Sequence, residues 1–138
     1  RIRQVADPSS QATHFAYERR RQEIEREVVK QLSDLGVPAH FKGYTYLKEA
    51  VTLVVMHPHM LSAVTKELYP TVARAHKSNA IKVERAIRHA IESTWTRGNL
   101  DCIDALFAYS VDANKGKPTN SSFIALLADQ VRMDVLAS

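Results

Sequence analysis

Apolar residues recur at steps of three and four along most of the chain, which is the spacing of one face of an α-helix. These stripes predict helices over residues 17–35, 44–55, 61–68, 99–107 and 119–131. Gly36 and Pro38 are expected to end the first helix, and Thr119 is expected to cap the last. The sequence sustains none of the alternation of apolar and polar residues that marks a strand. The pattern therefore predicts an all-α fold, a compact bundle of about six helices.

Residues 69–99 form the most informative stretch, because they predict a short helix, a polar turn and a longer helix. Pro70 suits a first helical turn, where its missing N–H would be unpaired, and it predicts a break or sharp kink after the preceding segment. Ser78 or Asn79 can cap the longer helix. Gly98 is expected to end that helix in the left-handed conformation.

The longer helix has one apolar and one polar face. The apolar face holds Val83, Ala86, Ile87, Ala90, Ile91, Thr94 and Trp95. The polar face holds Arg85, Arg88, His89, Glu92 and Thr96, with Lys82 and Glu84 at its edges. This arrangement is typical of a DNA-binding helix-turn-helix, although a plain helical hairpin with a solvated charged face has the same pattern. Trp95, at the inner edge, is expected to be a core anchor rather than a platform for stacking bases.

The positions of the positively charged residues support nucleic-acid binding, whereas the net charge of the chain does not. Nineteen Lys and Arg residues stand against 15 Asp and Glu, a net charge of +4, which is too modest to indicate a nucleic-acid partner by itself. Several cations nevertheless lie in or after the longer helix. They are Arg85, Arg88, Arg97, Lys115 and Lys117. Lys115 and Lys117 lie in a polar loop, where each is either solvated or paired with a phosphate.

The length and the ends of the chain limit its organisation. A chain of 138 residues is long enough for one domain with a single core. Residues 1–20 lack an apolar period and are expected to be a linker or disordered tail, which leaves residues 21–138 as the folded domain. No signal peptide or membrane-spanning apolar run is visible, and the single cysteine, Cys102, fits a reducing cytoplasm. Because the chain begins with arginine, we expect a fragment of a longer protein.

Enzymatic and metal-binding interpretations have little support in the sequence. His57 and His59 flank a proline, but no third ligand lies at a usual spacing, so no metal is expected. Cys102 has no histidine that a neighbour would orient for catalysis, whether His89 or His76 is considered. The four glycines are isolated, and none belongs to a phosphate-binding loop. We expect no enzyme activity and no cofactor.

Four segments together resemble one known family. They are GVPAHFKGYTYLKEAV (36–51), LYP (68–70), KVERAIRHAIESTWTRGNLD (82–101) and KPTNSSFIALLADQVR (117–132). In the same order they resemble the stage-zero sporulation protein A family, response regulators of two-component systems that commit endospore-forming bacteria to sporulation. The resemblance covers about residues 31–138. It implies a C-terminal DNA-binding effector domain, without the receiver domain whose phosphorylation drives dimerisation in the family.

The resemblance also implies a DNA site, a short box similar to TGTCGAA that usually occurs in tandem copies. The positions matching the family's base contacts are Glu84, Arg85 and His89, with phosphate contacts at Lys82 and Arg88. The chemistry agrees, because arginine can donate two hydrogen bonds to guanine and glutamate can accept one from cytosine. We therefore expect binding to double-stranded DNA, as a homodimer on tandem boxes, with no membrane partner.

A second implied partner is the major sigma factor of RNA polymerase. The matching positions follow the recognition helix and are Gly98, Cys102, Phe107 and Val111. The family's C-terminal helix also takes part in activation, and its matching positions are Ala128, Asp129 and Val131. The resulting prediction is a transcription regulator that activates some promoters and represses others. The alternatives are a helical protein-interaction module without DNA binding and, less favoured by the residues, a small hydrolase.

Overall fold

The computed structural model describes residues 8–107 and 116–137, which form six α-helices and no strand. The helices are α1 (Pro8–Leu35), α2 (Lys42–Met56), α3 (Tyr69–Ala75), α4 (Ala80–Arg97), α5 (Leu100–Phe107) and α6 (Asn120–Ala137). The prediction of an all-α bundle of about six helices is confirmed. Thr119 caps α6 as expected, since its hydroxyl accepts the backbone N–H of Ser122 at 3.1 Å.

Helix α1 begins at Pro8, earlier than the predicted start at Tyr17. Pro8 is the first helical residue, a position where proline costs no hydrogen bond. Residues 11–20 are all exposed, so this part of the helix shows no apolar period. Periodicity reports burial, and a helix segment whose residues are all exposed gives no such signal. The division of the chain at residue 20 stays a prediction.

Helical winding continues through Pro70, so the chain does not break there, although the winding changes from π to α directly before the proline. A 3₁₀ turn (Pro58–Ala63) and a π turn (Val64–Leu68) lead directly into α3, in which Pro70 is the second residue. The backbone N–H of Tyr69 bonds to the carbonyl of Val64, one residue wider than an α-helical bond. The wider turn directly before the proline keeps the helical winding continuous. The segment predicted as a third helix, residues 61–68, is formed by these two turns.

Helix α2 lies at the centre of the bundle and packs against α1, α4 and α6. The core between these helices is almost entirely aliphatic. Its fully buried large side chains include Val28, Leu32, Leu47, Val51, Ile87, Ile91, Phe123 and Leu127. An ion pair at the edge also joins α1 to α2, since Arg21 Nη2 lies 2.8 Å from Glu49 Oε2. Burial alone would lower the pKa of Arg21, but the hydrogen bond and charge of Glu49 raise it above its ordinary value.

Gly98 ends α4 in an extended conformation, with φ −79° and ψ −170°, and not in the predicted left-handed one. The glycine is required there for close packing. A β-carbon on Gly98 would lie 2.5 Å from the carbonyl oxygen of Leu35, and the next residue, Asn99, donates its N–H to that oxygen at 2.9 Å. The end of α4 is thus held against the end of α1. The left-handed glycine of this contact is Gly36, with φ +88°.

Candidate nucleic-acid interface

Helices α3 and α4 and the turn between them have the form of a helix-turn-helix. His76 ends α3, and Lys77 takes the left-handed conformation, with φ +52°, that usually follows a helix end. The N–H of Ser78 then bonds to the carbonyl of Ala73 at 2.9 Å. Of the two predicted caps, Asn79 caps α4, since its side-chain oxygen accepts the N–H of Lys82 at 2.9 Å. These bonds fix the direction in which α4 leaves the turn.

Helix α4 presents one face to the core and the other to solvent, in the predicted phase. Val83, Ile87, Ala90, Ile91 and Thr94 are buried. The buried hydroxyl of Thr94 is satisfied by the carbonyl of Ala90 at 2.7 Å. The exposed side carries Ile81, Lys82, Arg85, Arg88, His89 and Glu92. Because this side is opposite to α2 and α6, the whole polar face can enter a groove without disturbing the core.

The three residues predicted to read bases lie in different surroundings. Arg85 is exposed, and no carboxylate among the described residues pairs with it. His89, one turn later, is also exposed, and its ring stacks on Phe41 at 5.0 Å and 10°. Glu84 is half-buried at the other edge of the helix, with its carboxylate 3.5 Å from the guanidinium of Arg88. Helix α4 therefore places Arg85 and His89 one turn apart on its exposed side and Glu84 beside Arg88.

A basic recess lies along one flank of α4. It is lined by Lys42, Tyr46, His76, Lys77, Ser78, Lys82, Arg85 and Ala86. Sequence reasoning identified Lys82 and Arg85 but missed Lys42 and Lys77. Lys77 lies in the predicted turn, so its position next to the recognition helix could have been recognised. Lys42 lies at the start of α2, and no local pattern connects it with α4.

A second recess lies along the opposite flank of α4, between the start of α3 and the start of α6. Glu84, Arg88 and Lys117 contribute charged side chains to it. Lys117 Nζ lies 3.6 Å from a carboxylate oxygen of Glu92, so this predicted phosphate ligand does reach the recognition helix. Lys115 lies outside the described residues. The helix is thus flanked by cations on both sides, as a helix between the two phosphate walls of a groove would require.

Asn120 connects the three helices around this second recess. Its side-chain N–H₂ donates to the hydroxyl of Tyr69 and to the backbone carbonyl of Glu84, each at 3.1 Å. Burial raises the pKa of Tyr69, and the hydrogen bond from Asn120 opposes that shift in part. These bonds join the start of α6 to the start of α3 and to the second turn of α4.

The family model described as "Sporulation initiation factor Spo0A C terminal" matches residues 28–131, well over half of the chain. The chain belongs to this family. It is a DNA-binding effector domain of the Spo0A type, and its function is the regulation of transcription at the initiation of sporulation. The match begins within α1 and ends within α6, so it includes the complete helix-turn-helix. The helical fold agrees with the helix-turn-helix architecture of Spo0A C-terminal domains.

The residues that the resemblance predicts to contact the sigma factor are not all on the surface. Gly98 is half-buried, and Cys102 is half-buried in a shallow groove formed with Leu35, Leu106 and Gln130. Phe107 is only 7% exposed and packs against Trp95, with ring centroids 5.0 Å apart. Val111 lies outside the described residues. Cys102 is therefore accessible from this groove, whereas Phe107 is buried against Trp95.

The C-terminal residues predicted from the Spo0A resemblance divide in the same way. Ala128 and Val131 are buried in the core on the inner side of α6. Asp129 is exposed and accepts a hydrogen bond from Arg132 at 2.9 Å. Of the three, only Asp129 has an exposed side chain.

Trp95 is half-buried, and its ring lies 5.0 Å from Phe107 and 6.0 Å from Phe123. The fully buried Phe123 belongs to α6, so Trp95 joins α4, α5 and α6 through ring contacts. The prediction that Trp95 is a core anchor is confirmed. A tryptophan held by two rings on its inner side does not extend from the polar face of α4.

The histidines around Pro58 form local contacts. The Nε2 atom of His57 lies 3.0 Å from the hydroxyl of Tyr17, and Nε2 of His59 lies 3.4 Å from a carboxylate oxygen of Glu67. Within residues 8–107 and 116–137, no group of three or more His, Cys, Asp or Glu side chains could hold a metal ion. None of the helices in these ranges is long and apolar enough to cross a membrane.

Proposed function

We propose that this domain reads a TGTCGAA-like box by placing α4 in the major groove of double-stranded DNA. The observation that carries the proposal is Arg85, an exposed arginine opposite the buried face of a helix-turn-helix helix, with no carboxylate partner among the described residues. A free guanidinium can donate two hydrogen bonds to O6 and N7 of one guanine. His89 lies one turn further along the same face and is proposed to read an adjacent base.

Glu84 is proposed as the third base-reading residue, accepting a hydrogen bond from a cytosine amino group. Its partner in the free protein is Arg88, at 3.5 Å in a partly exposed pair. Such pairs contribute little to stability, about 0–1 kcal/mol, so DNA can replace the partner at small cost. Arg88 would then be released to bind a backbone phosphate.

Phosphate contacts are proposed on both flanks of α4. Lys82 and Arg88 were predicted from the sequence together with Lys115 and Lys117, and the basic recess adds Lys42 and Lys77. Phosphate contacts position a recognition helix and carry most of the salt-dependent affinity. Cations on the two flanks would hold the two strands and leave Arg85 facing the bases between them.

The alternative is a helical protein-interaction module without DNA binding. The cores of protein interfaces are depleted in charged residues and enriched in aromatic ones. The exposed residues of α4 include Lys82 and Glu92, two residue types that such interfaces disfavour, and no Tyr, Trp, Phe or Met, and Ile81 is the one large aliphatic residue among them. This composition favours a nucleic-acid partner.

The family resemblance is the basis for our proposals on the domain limits, dimerisation and sigma-factor contact. We propose that residues 21–138 are the effector unit and residues 1–20 a connection to a receiver domain. Tandem boxes would be bound by a homodimer in the bacterial cytoplasm, and the major sigma factor would contact the surface near Gly98, Cys102 and Asp129. The accessible groove beside Cys102 supports that surface. Phe107 and Val111 belong to the same proposed segment, Phe107 acting as its buried support.

The test of DNA reading is a binding titration on three duplexes of equal length. One contains the TGTCGAA box, one has a single substituted base pair, and one has the same bases in scrambled order. We expect each substitution to cost about 1–3 kcal/mol. Equal affinity for all three duplexes, or no binding to any of them, would overturn the proposal and favour the interaction module.

Assembly is tested by sedimentation of the chain alone and with DNA that carries one box or two tandem boxes. We expect a monomer alone, one copy on the single box and two on the tandem boxes, because each copy presents one recognition helix, α4. A tight dimer without DNA would contradict this expectation.

A further inference from the structure

Ile81 is an isoleucine on the outer surface of α4. Its side chain is 65% exposed, although its neighbour Val83 is completely buried. An isoleucine at this position stabilises no part of the core, and its β-branched side chain is a poorer helix former than alanine or lysine. Neither packing nor helix propensity therefore accounts for the residue at this position.

Ile81 lies on the same side of the helix as the arginines proposed to contact DNA. Residues 81, 85 and 88 are spaced four and then three apart, which places their side chains on one face. Ile81 is the second residue of α4, and side chains of a helix lean towards its N-terminus. Recognition helices contact base edges mainly with residues near their N-terminus. Ile81 therefore lies at the N-terminal end of the face of α4 that is proposed to contact the bases.

The cations around Ile81 restrict what it can contact. Lys82 follows it directly, and Arg85 lies one turn beyond, both exposed. The cations favour a polyanionic partner. The apolar side chain among them favours a partner that also carries an apolar group at the matching position. In the major groove that group is the C5 methyl of thymine, which aliphatic side chains contact directly.

We infer that Ile81 packs against the methyl group of one thymine in the bound box and so distinguishes thymine from cytosine at that position. This inference rests on the proposed function, because it requires α4 to lie in the major groove. It adds a specificity-determining residue that makes no hydrogen bond and carries no charge.

The experiment removes the methyl group from the DNA and the side chain from the protein. Each thymine of the box is replaced in turn by deoxyuracil, which keeps the base pairing and lacks only the methyl group. Affinities are measured for the unmodified chain, Ile81→Ala and Leu100→Ala. Leu100 is the matched control, since it is 64% exposed and begins α5, beyond the other end of α4.

We expect the unmodified chain to lose roughly three- to fivefold in affinity at one thymine, the factor that burial of one methyl group gives. Ile81→Ala should bind the thymine and deoxyuracil forms of that box equally. Leu100→Ala should behave like the unmodified chain. Circular dichroism of Ile81→Ala should show the unmodified helix content and thermal midpoint.

Three results would overturn the inference. The first is an unmodified chain that is indifferent to every thymine methyl while it still prefers the TGTCGAA box, and this result leaves the proposed function intact. The second is an Ile81→Ala variant that keeps the full loss at the same thymine. The third is an unmodified chain that does not prefer the box at all, in which case the proposed function fails together with the inference.

Discussion

Gly43 of α2 lies directly against the backbone of Ala86 in α4. A β-carbon on Gly43 would overlap the carbonyl oxygen of Ala86 and would lie 2.7 Å from the β-carbon of Ala90. Helices approach this closely only where a glycine meets small residues. Since Arg85 immediately precedes Ala86, this contact determines how deeply α4 sits on the bundle and how far Arg85 projects from it.

Gly43→Ala should destabilise the domain by about 1–3 kcal/mol, the usual cost of overpacking a close contact. The obstacle is the backbone of Ala86, which cannot yield unless α4 moves. Denaturant unfolding measures the free energy of unfolding. The neighbouring exposed variant Lys42→Ala is the control and should change it by less than about 0.5 kcal/mol. Equal stability of both variants would mean that α2 and α4 are further apart.

DNA binding should depend strongly on salt. If about four of the proposed phosphate contacts form at once, the logarithm of the binding constant should fall with the logarithm of salt concentration at a slope of roughly −3.6, from about −0.9 per phosphate. Lys42→Ala and Lys77→Ala should each make the slope shallower by about one unit. Lys30→Ala is the control, because Lys30 lies on α1 and pairs with Asp34. An unchanged slope in the Lys42 and Lys77 variants would show that the basic recess does not contact DNA phosphates.

Arg85 should read a base, whereas Arg88 and Lys82 should hold phosphates. Arg85→Ala is expected to cost about 1–3 kcal/mol on the matched box and to relax the preference at one guanine. Arg88→Ala and Lys82→Ala should weaken matched and scrambled DNA about equally. Affinities on the box, on boxes with single guanine substitutions and on scrambled DNA separate these effects. Selective loss of discrimination in Arg88→Ala would show that α4 is rotated in the groove.

Trp95→Ala should impair folding before it impairs recognition. Removal of the ring leaves a cavity against Phe107 and Phe123, and the cost should be about 3 kcal/mol, the low end for a core aromatic, because Trp95 is only half-buried. The thermal midpoint without DNA measures this effect. Thr96→Ala, on the exposed face of the same turn, should leave the midpoint nearly unchanged. Equal midpoints for the two variants would contradict the helix phase described above.

The stability that Tyr69 contributes should decline at high pH. Burial raises the pKa of Tyr69 in the folded domain, whereas an unfolded tyrosine ionises near pH 10. A raised folded-state pKa stabilises the domain fully below the unfolded pKa, and this contribution is lost as the pH rises through the folded pKa. Tyr69→Phe cannot ionise, so the unmodified chain should lose its advantage over this variant above about pH 10. A constant difference across that range would contradict the prediction.

Local sequence rules were sufficient for the phase of α4 and for most of the α-helices, but not for the start of α1 or for the 3₁₀ and π turns over residues 58–68. A period of 3.6 residues appears wherever one face of a helix is buried, and it placed Val83, Ile87 and Ile91 inside and Arg85 outside. The caps at Asn79 and Thr119 follow from the hydrogen-bonding capacity of their own side chains. Such features depend on residues within about one turn of each other, so they can be read from the sequence.

Tertiary structure alone decided which distant residues meet at the interface. Lys42 joins the basic recess because Gly43 permits α2 to approach α4. Gly98 is extended because the end of α1 packs against it. Each result depends on close approach between segments far apart in the chain. A sequence pattern reports the burial of one element and not the identity of the element that buries it, which is why the recognition helix was predicted and its surroundings were not.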